Sequence, residues 1–126
     1  MELLIFMEEM RIEKIEALQV LADFNGRLLQ NLPILVKELL GGKLEDTDKF
    51  QKSIIDAINW EVEVVNCTLD ILNGDEENIN KESFNSGIME LSEALKLGDD
   101  NRIADAFQKL IPIFENLGKI VEEIIK

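Results

Sequence analysis

The sequence predicts an all-α protein, an antiparallel up-down four-helix bundle. Three observations predict it: apolar residues recur at three- and four-residue intervals, no segment alternates with period two, and glycines close the periodic runs. Gly41-Gly42, Gly74 and Gly98 each follow such a run, where a residue tolerant of left-handed backbone ends a helix. Behind each comes a fresh start signal: Asp46-Thr47-Asp48, Asn78 to Asn80, and Asp99-Asp100. Four helices are expected, over 8–41, 46–73, 80–97 and 99–125, in a single domain of 1–126. Short connections make consecutive helices antiparallel.

In the first helix Leu18, Leu21, Asn25, Leu28, Leu32, Leu35 and Leu39 form one stripe with a single polar member. Pro33 lies inside it and removes a backbone donor, so the helix is expected to curve, or to break near Gly26–Pro33 and make five helices. The second helix carries Ile55, Ile58, Val62, Val65, Leu69 and Leu72, a full bundle stripe. The third is shorter, with Phe84, Ile88, Leu91 and Leu95. Its start is the best formed: with Asn80 as cap, Ile79 and Phe84 occupy the two positions of a hydrophobic staple. The fourth steps through Ile103, Phe107, Leu110, Phe114, Leu117, Val121 and Ile124, with Pro112 within it. Residues 1–7 precede the first stripe and are expected to be a flexible extension, or a mis-started one if translation begins at Met7 or Met10.

Composition closes several functional classes. Twenty-six acidic against 13 basic residues give a formal net charge of −13, which disfavours nucleic acid because phosphate binding needs a cationic face. With no histidine, the commonest general base is missing, and with it the Ser-His and Cys-His dyads. One cysteine cannot make an internal disulfide, and Cys67 reads as a small buried hydrophobe. The apolar run Leu3–Met7 is too short for a membrane span and is flanked by glutamates, unlike a signal peptide, so a cytoplasmic protein is expected. No metal, cofactor or catalytic residue is expected.

One carboxylate pattern competes with that expectation. Glu13-x-x-Glu16 followed by Glu45-x-x-Asp48 matches the four-carboxylate magnesium pattern of all-helical nucleotide pyrophosphohydrolases. From Glu16 to Gly41 a straight helix runs on the order of 37 Å, so only a fold-back at Pro33 unites the four. The acidic loop NGDEENIN lacks ligands at alternate positions and is read as a solvated turn.

The second helix has more apolar residues than one stripe needs. Ala57, Trp60, Val64, Cys67 and Ile71 form a second line displaced by two residues, which at roughly 100° per residue puts it on nearly the opposite side. A polar line of Asp56, Asn59, Glu63, Asn66, Asp70 and Asn73 runs between the two. The second stripe must be covered either by another part of the domain or by another chain. Centred on the single Trp60, it is the candidate partner interface, and Leu3, Leu4 and Phe6 are a second apolar element.

Two stretches carry a resemblance. Residues 25–68 read N-G-x-L-L-x-x-L-P, a Gly-Gly-Lys turn, then D-A-I-x-W; residues 103–115 read I-A-D-A-F-x-x-L-I-P-I-F-E. The chain resembles short, acidic helical proteins of Gram-positive bacteria, some labelled molecular chaperones, and is similar in size, charge and class to flagellar export chaperones. The resemblance implies no catalytic residue, and structural weight at Leu32-Pro33, Trp60 and Pro112. The function expected is a non-enzymatic bundle that binds a protein partner, or itself as a homodimer, through apolar helix faces.

Overall fold

The computed structural model describes residues 2–126. Met1, the first residue of the expected extension, lies outside the described residues. Four helices follow one another: α1 (Glu2–Lys37), α2 (Thr47–Asn73), α3 (Lys81–Leu97) and α4 (Asp100–Ile125). A single wide turn, Glu38–Gly42, closes α1. Gly41 stops the helix with φ 144°, a backbone conformation costly for any residue with a Cβ.

Ends that sit together define the topology. Lys14 bonds Asp70 at 3.1 Å at one end of the α1–α2 pair, and Thr47 Oγ1 donates to Glu38 Oε1 at 2.7 Å at the other. The two helices are therefore antiparallel. Asn25 Nδ2 donates to the Phe114 carbonyl at 3.0 Å, and Lys43 lies 3.5 Å from Asp100, which makes α1 and α4 antiparallel as well. Glu90 on α3 is 3.8 Å from Lys109 on α4, completing the up-down order. The α1–α4 pair is the most extensive and central; α2 packs on α1, and α3 packs on α4.

The first-helix and fourth-helix stripes are buried as expected, from Leu18 to Leu39 and from Ile103 to Val121. Phe84 meets Phe114 edge-on, ring centroids 5.9 Å apart, and anchors α3 on α4. The α3 start matches its expectation: the Asn80 side chain accepts from Ser83 N at 3.0 Å, and Ile79 and Phe84 are both buried. Asp99 caps α4 in the same manner, accepting from Asn101 N at 2.9 Å. Asp46 makes no side-chain cap for α2. Thr47, fully buried, instead accepts from Leu44 N at 2.8 Å and donates to Glu38, tying the connection to both helices.

Residues 2–7, expected as an extension, are helical and form the first turns of α1. Two expectations need correction. Pro33 does not split the first helix, because α1 runs unbroken through it. Both Pro33 and Pro112 sit on exposed faces, where the carbonyls that lose a helical donor can meet water. Finally, the buried line of α2 is Ile54, Ile58, Glu61, Val65, Thr68 and Leu72. Ile55, Val62 and Leu69 are only half-buried and flank it on one side, while Ala57, Trp60, Val64 and Ile71 flank it on the other. The two apolar stripes are thus shoulders of one broad inward face, and the polar line Asp56–Asn73 is the outward one.

Candidate functional site: the free end of α1 and its edge with α2

The core stripe of α1 has a period that continues past the core. Stepping back from Leu18 by fours and threes reaches Lys14, Met10, Met7 and Leu3, of which Lys14, Met10 and Met7 stand beside the last turns of α2. Asn25 is level with Phe114, and the two helices run in opposite directions at equal rise per residue. The last residue of α4, Ile125, is therefore level with about Lys14 of α1. No described residue of α4 lies level with the stripe beyond Lys14. Leu3 is 69 % exposed, Leu4 63 %, Phe6 57 % and Met7 58 %, with Ile5, Met10 and Ile12 also exposed. Five consecutive apolar residues leave no polar face on this turn, a pattern found where a helix is enclosed on all sides.

Beside it, α1 and α2 leave two open depressions that share Met10 and Lys14. One, of about 330 Å³, has Ala17, Val64 and Cys67 among its walls; the other, of about 430 Å³, has Leu4, Met7 and Ile71. Acidic Glu8, Glu13, Glu63 and Asp70 rim them, with Asp70 already bonded to Lys14. Cys67 is exposed here, which corrects its reading as buried; at roughly 100° per residue it lies about 140° from the centre of the buried line, beyond the shoulder. Cys67, Leu3, Leu4 and Phe6 are accessible, whereas Ala57, Trp60, Val64 and Ile71 pack partly against their own core. Trp60 is covered in part by Phe24 of α1, ring centroids 5.1 Å apart, and Arg27 lies 4.8 Å over the other ring of that pair.

Inside the α1–α2 interface sits a carboxyl that the pattern of apolar residues passes over. Glu61 is fully buried, and neither Oε1 nor Oε2 has a hydrogen-bond partner. Burial without compensation pushes its pKa from 4.5 up to about 8, so the group is neutral at pH 7. Thr68, one heptad on, satisfies itself by donating to the Val64 carbonyl at 2.6 Å. The signal for both was their heptad spacing with Ile54, visible only when a Glu and a Thr are allowed on an inward face.

The carboxylates Glu13 and Glu16 lie towards the free end of α1, and Glu45 and Asp48 at the opposite end beside the first turn of α2. The fold does not bring these four together. Among the described residues no group of three or more carboxylates and thiols is close enough to hold a metal ion. Among the same residues no helix is long and apolar enough to cross a membrane.

A family model described as a domain of unknown function (DUF8042) matches residues 16–120. The chain belongs to that family. The match spans the bundle from two residues before the first core residue of α1, Leu18, into the last turns of α4, and residues 2–15 of α1 precede it. No curated protein and no solved structure matches the chain.

Proposed function

We infer that this DUF8042 member is a non-enzymatic, cytoplasmic protein-binding bundle, chaperone-like or self-associating, that engages another helix through apolar helix faces. The observation that carries this reading is the exposed start of α1, helical and apolar without interruption from Leu3 to Met7, opening onto the depressions along α2. A water-facing helix of this kind is normally covered, and large exposed apolar patches on soluble proteins mark interaction sites. A partner helix laid there meets anchors at three- and four-residue spacing in Leu3, Met7 and Met10, the spacing that helix-to-helix packing reads. The acidic exterior keeps such a protein dispersed and repels anionic partners.

A photo-crosslinking amino acid placed at Phe6 in the intact cell tests this. The expected result is a discrete crosslinked protein band that is lost when the same probe replaces Met89, an equally exposed residue on α3. Equal labelling from both positions, or none from either, overturns the reading.

A further inference from the structure

We propose that α2 is a proton-latched flap, which separates from α1 as a unit when the Glu61 carboxyl loses its proton, while α1, α4 and α3 stay packed together. The inference is independent of the protein-binding reading above.

The order of packing supplies the first argument. The α1 helix packs on both α2 and α4, and α3 packs on α4, but α2 rests almost wholly on α1 and touches α4 only lightly. Lifting α2 therefore leaves in place the Asn25–Phe114 bond between α1 and α4 and the Phe84–Phe114 contact between α3 and α4. Glycines of positive φ, Gly41 and Gly74, flank the helix and serve as its pivots. The bond from Thr47 to Glu38 lies beside the first pivot and can persist. At the other end the Lys14–Asp70 pair is exposed and contributes little to holding α2 down.

The latch supplies the second. Glu61 sits in the middle of the buried line of α2, with both carboxyl oxygens out of water and without a hydrogen-bond partner. Because Lys14 meets Asp70 and Phe24 meets Trp60, Glu61 is level with about Asp23 of α1, and through the Asn25–Phe114 bond with about Asn116 of α4. The titratable side chains within a turn of that level are Asp23 and Arg27 on α1, Glu115 and Lys119 on α4, and Glu63 on α2 itself; all five are exposed. Asp23 and Arg27 are already paired with each other. No cation compensates an ionised Glu61 in the closed fold, and an unpaired buried charge is costly; once α2 lifts, water hydrates the same carboxylate.

Proton linkage fixes the direction. Closed, burial holds the group at a pKa of about 8; lifted into water it titrates near 4.5. Between those values opening releases a proton, so the opening constant rises about tenfold for each pH unit and is level above and below the window. What opening displays is the inward face of α2, with Ile54, Ile58, Val65 and Leu72 along its centre.

Amide hydrogen exchange of the full chain, followed residue by residue by NMR between about pH 5.5 and pH 7.5 and corrected for the intrinsic rate, tests the proposal. Helices owe most of their stability to packing, so the amides of α2 exchange when it leaves α1. The expected result is that Ile58, Val65 and Leu72 open more readily than Phe107, Leu110 and Phe114 of α4, with an opening constant that rises about a hundredfold over those two pH units. In Glu61→Gln the constant is flat with pH. In Glu61→Met, which leaves no polar atom to bury, it is flat and lower than wild type at pH 7.5, and this variant carries the test alone should the buried amide prevent folding. One shared opening constant for α2 and α4 at every pH overturns the flap. An α2 constant that does not change with pH, or a slope that persists without the carboxyl, overturns Glu61 as its latch.

Discussion

Glu61 is the residue whose environment is least like that of any other carboxylate in the chain. Buried with both oxygens unpartnered, it holds its proton in the fold up to about pH 8, whereas in the unfolded chain it releases it near 4.5. Between those values the folded state binds one more proton than the unfolded state, so folding stability falls as pH rises. The slope is at most about 1.4 kcal/mol per pH unit across that window, and the contribution is flat below it. Glu61→Gln removes the titration and keeps the shape. The expected outcome is a wild-type melting temperature that drops between pH 5 and pH 8, with a Glu61→Gln profile lacking most of that drop. Parallel profiles would mean that the carboxyl finds water or a donor in solution. Asn25, the other buried side chain with an unpartnered polar atom among the described residues, is half satisfied, by Phe114; its Oδ1 has no partner. It reaches that carbonyl because residue 118 is glycine: a Cβ there would stand 2.8 Å from Asn25 Nδ2.

At the scale of the element, α3 shows how much a helix end depends on a few atoms. It is the shortest of the four, 17 residues, and packs mainly on α4, so its own start carries a larger share of its stability. Asn80→Ala removes the acceptor for Ser83 N and is expected to cost about 1 kcal/mol, read as a lower urea midpoint at unchanged m-value. This cap and its staple were legible in the sequence, because a polar residue flanked by Ile79 and Phe84 at fixed offsets has one structural meaning. The stripes of α1 and α4 were legible for the same reason. What escaped was the inward face of α2. Its centre line holds Glu61 and Thr68, and a reading that admits only apolar residues inside splits the face into two shoulders that look opposed. The free end of α1 escaped too: a run of five apolar residues has no helical period of its own, and only its continuity with the stripe from Leu18 onward shows it to be helix.

For the molecule as a whole, the order of packing was beyond the reach of periodicity. Stripes say which side of a helix is buried but not which neighbour buries it, and so the central place of the α1–α4 pair was visible only in the fold. Charge, by contrast, is a whole-molecule property that the composition states outright, and it bears on stability as well as on partners. A formal charge of −13 in a domain this small loads the compact state with self-repulsion that the unfolded chain relieves by expanding. The opposing ion pairs lie on the surface: Lys14–Asp70, Arg27–Asp23, Lys43 between Asp48 and Asp100, Lys109 between Glu90 and Asp105, and Lys126–Glu123. Asp48 and Asp100 raise the pKa of Lys43, and Asp105 and Glu90 that of Lys109, but such exposed pairs contribute little to stability and are themselves screened. Repulsion among an excess of acids acts over the whole surface, at separations comparable with the ~10 Å screening length at 0.1 M salt. The repulsive sum therefore outweighs the local pairs, and the melting temperature at pH 7 is expected to rise with sodium chloride. Measuring it at several low protein concentrations separates this effect from any stabilisation by association. A fall in melting temperature with salt would place the balance with the ion pairs, above all those of Lys14, Lys43 and Lys109, which bridge separate elements where the pairs within one helix do not.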